Sequence, residues 1–175
     1  MDFAQFIRTI PDYPKPGIMF RDITTLIAHP EGLSAAIEAL ALKFADTDTD
    51  VVAGIEARGF IIGGAIAQAL GTGFIPVRKQ GKLPWKVLSQ DYQLEYGTDR
   101  LEIHQDAIEP GARVLLIDDL IATGGTALAA TNLIERVGGM VTGAGFLVDL
   151  PDLGGVKKLA AKEIPVHALC AFDGD

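Results

Sequence analysis

Val114-Leu115-Leu116-Ile117-Asp118-Asp119-Leu120-Ile121-Ala122-Thr123-Gly124-Gly125-Thr126 is the stretch whose reading decides the fold. Four apolar residues in a row predict a strand buried on both faces, as in the centre of a parallel sheet. Asp118 and Asp119 end that strand, a Thr-Gly-Gly-Thr loop follows, and Ala130, Leu133, Ile134 and Val137 then fall at helical spacing. A helix N-terminus presents free backbone N–H groups and the positive end of a dipole, a seat for phosphate. Gly124 and Gly125 let the backbone approach phosphate oxygens, and Thr123 and Thr126 add hydroxyl donors. The paired carboxylates suit a ribose diol or help hold a divalent metal. A phosphorylated sugar satisfies both ends of the stretch.

Working outward, the same alternation recurs. Val51–Ile55 reads as a strand ending in Glu56-Ala57-Arg58-Gly59, and Ile62, Ala65, Ile66, Ala69 and Leu70 mark a helix. Residues 74–77 make the next strand, 79–91 a long polar loop, and 92–103 an antiparallel excursion. Beyond the central stretch, Gly138-Gly139 closes the helix, 141–148 is a strand ending at Asp149, 156–161 a short helix and 166–172 a last strand. Upstream, Pro30–Phe44 is a helix with Leu33, Ala36, Ile37, Leu40 and Phe44 on one face. Residues 2–10 read as a short helix, 11–17 are too proline-rich for a regular element, and 18–22 read as irregular. The fold class is α/β, with a mainly parallel central sheet flanked by helices. No repeat, low-complexity tract or linker divides the chain, so residues 1–175 read as one domain. In such sheets ligands bind at the carboxyl ends of the strands. Glu56 and Arg58, Arg78 and Lys79, Asp118 and Asp119, and Asp149 all fall there.

Composition narrows the function. A chain of 175 residues, 49% of them hydrophobic, needs no disulfide or metal staple to hold a core. One cysteine, Cys170, in an apolar segment reads as a small core hydrophobe of a reducing compartment, and the N-terminus has no signal-peptide pattern; a cytoplasmic protein is expected. The charge-free run 59–77 is long enough to span a bilayer, but Gln68, the Gly71–Gly73 region and Pro76 break it into helix, turn and strand. A net charge of −8 argues against nucleic acid as a partner. Arg78, Lys79, Lys82 and Lys86 stand out against it; a small polyanion site and a solvated basic loop both remain open on residue type alone. Phe20 beside Arg21 could offer a ring for stacking, although core filling is the simpler reading of an isolated phenylalanine.

Several phosphate and metal chemistries are excluded. Gly124-Gly125-Thr126 lacks the lysine of a Walker loop, and no G-x-G-x-x-G follows a strand. The acidic pair lies too far along the chain for a response-regulator receiver. His29, His104 and His167 are scattered, with no zinc spacing, and no serine elbow is present. Asp46, Asp48 and Asp50 lack the glycine and glutamate of a calcium loop and read as a solvated turn.

Residues 114–126 resemble the phosphoribosyl-pyrophosphate signature of the type I phosphoribosyltransferases. Phe20-Arg21-Asp22, Glu56-Ala57-Arg58-Gly59-Phe60, Arg78-Lys79-Gln80-Gly81-Lys82-Leu83-Pro84, Leu94-Glu95-Tyr96-Gly97 and Asp149-Leu150-Pro151-Asp152-Leu153-Gly154-Gly155 resemble the adenine branch of that family, in order and along the whole chain. The resemblance implies a type I phosphoribosyltransferase fold with a flexible loop over the site, residues 1–50 forming a hood on the adenine side and 51–175 the core. It implies transfer of phosphoribosyl from phosphoribosyl pyrophosphate to adenine, giving AMP and pyrophosphate, with Mg2+ and in a homodimer. Asp118 and Asp119 would hold the ribose hydroxyls, directly or through metal and water, and Ala122, Thr123, Gly124, Gly125 and Thr126 the 5′-phosphate. Arg58, Arg78, Lys79, Lys82 and Tyr96 would bind pyrophosphate, Phe20 would stack on the purine, and the backbone of Arg21 would read its edge. Glu95 would be the acid/base residue, and Glu56 has a supporting place. Gln80 stands where the family often has proline, a departure expected to affect loop mobility. The same resemblance leaves two alternatives: a transferase for xanthine or hypoxanthine-guanine, and a non-catalytic sensor of phosphoribosyl pyrophosphate.

Overall fold

A computed structural model describes residues 1–93 and 97–174. After a single 3-10 turn at Ala4–Phe6, β1 (Arg8–Pro11) pairs antiparallel with β2 (Met19–Asp22) as a separate two-stranded sheet. The helix expected over 2–10 and the irregular segment expected over 18–22 are therefore both corrected. Ile7, Thr9 and Ile10 are β-branched and favour extended backbone once a partner is available. That partner lies beyond the proline turn and leaves no periodic signal of its own. Phe3 and Ile7 still enter the core.

α1 (Thr24–Ala28) leads into α2 (Pro30–Phe44), which spans the expected residues. Pro30 occupies the first turn, where its missing N–H costs nothing, and the His29 ring nitrogen accepts the Gly32 N–H at 3.2 Å. β3 (Val51–Ile55), α3 (Arg58–Leu70) and β4 (Gly73–Lys79) follow, so the charge-free run 59–77 divides into helix, turn and strand. Among the described residues no helix is long and apolar enough to cross a membrane. β5 (Val87–Gln93) and β6 (Thr98–His104) form the antiparallel excursion; β5 begins inside the stretch read as loop, which shrinks to residues 80–86. β7 (Arg113–Ile121), α4 (Gly125–Arg136), β8 (Met140–Asp149), α5 (Gly155–Ala160) and β9 (Val166–Ala171) complete the chain. Asp118 and Asp119 do not end β7: its ladder with β8 continues to Leu120 and Ile121.

The main sheet has the order β5-β6-β4-β3-β7-β8-β9, parallel from β4 to β9 and antiparallel at the β6 and β5 edge. β7 is central, and the run that predicted it is fully buried. Val114 and Leu116 face the cluster under α4, whereas Leu115 and Ile117 face the cluster under α1, α2 and α3. Each such side chain contributes about 2 kcal/mol by leaving water, so the strand carrying the carboxylates is held rigidly from both sides. Asp48 and Asp50, expected to be merely solvated, pair with Arg113 at the start of β7, at 3.0 and 2.9 Å. The aspartates thus tie the far end of the same strand.

Candidate functional site

The carboxyl ends of β3, β4 and β7 meet the starts of α3 and α4 around a cavity of about 530 Å³. Its walls bring together Glu56 and Arg58, Lys79, Asp118 and Asp119, and the whole loop from Ala122 to Thr126. These residues come from three parallel strands far apart in sequence, which is what a site at strand ends requires.

The phosphate-seeking part is local. Gly124 precedes α4 in a left-handed conformation, φ +78°, which turns the chain so that the first amides of the helix face outward along its axis. Those amides have no acceptor within the helix, so an anion at this point meets several N–H groups and the dipole. α5 supports the loop from behind. Gly155 N–H donates to Ala122 O at 2.9 Å, and the Lys158 ammonium donates to Thr123 O at 2.7 Å.

The acidic part is buried. Asp118 and Asp119 are each less than a tenth exposed, and Asp118 Oδ1 accepts the Asp119 N–H at 2.9 Å. Burial pushes the Asp118 carboxyl well above the usual carboxylate range, the neighbouring Asp119 charge adds to this, and Arg58 offsets only part. A carboxyl in that condition gains most from a cation or from hydroxyl donors. Arg58 donates to Asp119 at 2.6 Å, so among the described residues the cation in direct contact with the pair serves the second carboxylate. α3 approaches this pair so closely that a Cβ on Gly59 would lie 2.8 Å from Asp118 Oδ1.

The cations expected to bind a polyanion divide into two groups. Arg58 and Lys79 line the cavity. Arg78 and Lys82 do not: the Arg78 guanidinium donates twice to Glu56, at 3.1 and 3.2 Å, and once to Lys82 O at 3.1 Å. Burial pushes the Glu56 carboxyl up, but bonds from Arg78 and from the Lys79 N–H outweigh it and leave the group lowered. Glu56 therefore acts as the anchor of the basic segment, with Arg78 behind the wall and Lys79 on it.

Phe20 is half-buried and belongs to neither core cluster. Its ring lies edge-on to Tyr13, centroids 5.1 Å apart, and 6.0 Å from the Arg58 guanidinium carbon. The two-stranded sheet thus brings an aromatic face toward the residue that touches Asp119. The Arg21 side chain points elsewhere, donating to Thr9 Oγ1 at 2.5 Å and lying 4.3 Å over the Phe172 ring. Glu95 and Tyr96 lie outside the described residues. Two residues at the site carried no signal in sequence: Tyr92, which lines the cavity, and Asp99 behind it, bonded to both Tyr92 and Lys79. Among the described residues no cluster of three or more carboxylate, histidine or cysteine groups stands ready for a metal.

The chain from residue 22 to 165 matches the phosphoribosyl transferase domain model. An adenine phosphoribosyltransferase of Parvibaculum lavamentivorans is 62% identical over 99% of each chain. Among solved structures, the adenine phosphoribosyltransferase of Rhodothermus marinus is 55% identical with a TM-score of 0.91, covering 97% of this chain and 96% of that one. The enzyme of Saccharomyces cerevisiae, solved with an imino-altritol bisphosphate and adenine, is 38% identical with a TM-score of 0.89, covering 96% and 98%.

Proposed function

The chain belongs to the phosphoribosyltransferase family, in its adenine branch, and from that premise we propose that it transfers phosphoribosyl from phosphoribosyl pyrophosphate to adenine, releasing AMP and pyrophosphate. The observation that carries the reading is the single cavity in which the loop 122–126, the buried Asp118–Asp119 pair, Arg58 and Lys79 converge. A phosphate, a diol and a pyrophosphate each find complementary groups there.

The bond from the anomeric carbon to pyrophosphate breaks as the purine nitrogen bonds to that carbon, and positive charge develops on the sugar. Asp118 and Asp119 hold the ribose hydroxyls and place negative potential beside that charge. The loop 122–126 and the first amides of α4 seat the 5′-phosphate and fix the sugar for in-line displacement. Arg58 and Lys79 receive pyrophosphate, with Arg58 suited to bidentate contact and Lys79 acting as a point charge. Arg78 and Lys82 support them from the segment anchored on Glu56. Phe20 stacks on the purine and the Arg21 backbone reads its edge. Glu95, by resemblance, takes the ring proton, and Tyr96 joins the pyrophosphate side. A glutamate in water titrates near 4.3, so this role requires a desolvated setting.

The donor set fits magnesium. Mg2+ is held by one or two carboxylates together with substrate phosphates and waters, and the adjacent Asp118 and Asp119 at the cavity wall would supply them, directly or through water. When bound, the ion would supply positive charge against the departing pyrophosphate. A homodimer in the cytoplasm completes the proposal, resting on the family. Incubation with adenine, phosphoribosyl pyrophosphate and magnesium should give AMP and pyrophosphate in equal amounts. No turnover with any purine base would overturn the reading.

A further inference from the structure

One carboxylate joins parts of the site that are remote in sequence. Asp99 Oδ2 accepts the Tyr92 hydroxyl at 3.2 Å and the Lys79 ammonium at 3.0 Å, while Oδ1 accepts the Arg100 N–H at 2.8 Å. Lys79 and Tyr92 both line the cavity, and Asp99 lies directly opposite Tyr92 on the β5–β6 hairpin. That hairpin end also touches the phosphate loop: a Cβ on Gly125 would sit 2.8 Å from Gln93 O and 3.8 Å from the Tyr92 ring. Arg78 and Lys79 are the two β4 residues paired with β6, so the cavity lysine is already tied to the hairpin through its backbone.

We infer that Asp99 is a positioning residue, which fixes the Lys79 ammonium in the cavity for pyrophosphate and, through Tyr92, braces the hairpin end against the phosphate loop. The inference rests on the pyrophosphate site proposed above. A free lysine gives up most of its rotamer freedom when it is fixed on a ligand. One ordered beforehand by Asp99 has largely lost that freedom already. An ammonium has three donors, so the bond to Asp99 leaves two for an incoming anion. The Asp99 charge would repel pyrophosphate if it stood alone. Here the Arg100 N–H, the Lys79 ammonium and the Tyr92 hydroxyl all stabilise its ionised form, and its carboxyl lies below the usual range despite partial burial. Ordering of the lysine is therefore the larger effect.

The test is a four-protein cycle read by titration calorimetry with inorganic pyrophosphate in magnesium-containing buffer: parent, Asp99→Ala, Lys79→Met and the double variant. Asp99→Ala should weaken pyrophosphate binding about fivefold, the upper range for a partly exposed ion pair, and should change it less than about twofold when Lys79 is already methionine. Asp99→Asn, which keeps an acceptor for Tyr92 and Arg100, should show the same dependence on Lys79 if the alanine variant folds poorly. Equal losses in the two backgrounds would overturn the inference, as would tighter binding in Asp99→Ala, because Asp99 would then be a competitor of the ligand. Since the readout is binding, a parent without turnover would count against the proposed function and leave this cycle interpretable.

Discussion

Gly155→Ala should loosen the phosphate loop from behind, although Gly155 never faces the cavity. Gly155 opens α5, and helix propensity alone would favour alanine there by about 1 kcal/mol. The contacts reverse that sign. An added Cβ would lie 2.4 Å from Ala122 O, 2.7 Å from Ile121 Cγ1 and 2.8 Å from Gly124 N. Two of these three atoms are backbone, so turning the Ile121 side chain relieves only one of the contacts. The loop must retreat by about 0.6 Å to bring the tightest contact to 3.0 Å, and the Gly155 N–H bond to Ala122 O shifts with it. Overpacking of this kind costs about 1–3 kcal/mol, leaving a net loss of up to about 2 kcal/mol after the propensity gain. For a chain of this size that lowers the melting temperature by up to about 8 °C. The kinetic effect should be larger and one-sided. Amides displaced from the 5′-phosphate should raise KM for phosphoribosyl pyrophosphate about tenfold and leave KM for adenine near the parent value. Calorimetric melting and steady-state kinetics with each substrate varied in turn are the assays. A melting temperature equal to or above the parent's, with KM for phosphoribosyl pyrophosphate unchanged, would refute the buttressing argument.

Glu95→Ala should lower kcat by about 100-fold or more, the scale of general acid–base catalysis, with little change in either KM; a change confined to KM for adenine would assign Glu95 to binding instead. Asp22 gives a pH test. Thr24 and then Arg8 hold its carboxyl down at about 2, against 3.8 for the ordinary group. A depressed folded value means stability that is present above about pH 4 and is lost as pH falls toward 2. Asp22→Asn should therefore cost about 1–3 kcal/mol at neutral pH, with the gap to the parent closing between pH 4 and 2 in urea titrations; a pH-independent gap would contradict the sign. Chelation of divalent ions should abolish turnover, and added magnesium should restore it. Full activity in excess chelator would remove magnesium from the account.

Legibility in the sequence follows the range of the interactions involved. α2 and β3 occupy the expected residues because each carries its own period and its own stops, such as Pro30 at the helix start. The central strand was legible from Val114 to Ile117, whereas its continuation through Asp119 depends on pairing with β8. β1 and β2 were missed for the same reason: each is only 4 residues long and stabilised by the other across a proline turn. Within the site, Asp118, Asp119 and the loop 122–126 are contiguous and so could be read together. The split between Lys79 on the wall and Arg78 behind it depends on Glu56, which lies 22 residues before Arg78. Tyr92 and Asp99 had no signal at all, since a tyrosine and an aspartate in an alternating hairpin look ordinary until the hairpin is folded onto β4.

The central claim is that the phosphoribosyl site lined by Asp118, Asp119 and the loop 122–126 serves adenine. A competition assay measures this most directly: adenine, hypoxanthine, guanine and xanthine at equal concentrations, with limiting phosphoribosyl pyrophosphate and the nucleotide products separated. The account predicts that AMP dominates and that the 6-oxopurine nucleotides are minor. A predominance of IMP, GMP or XMP would contradict it.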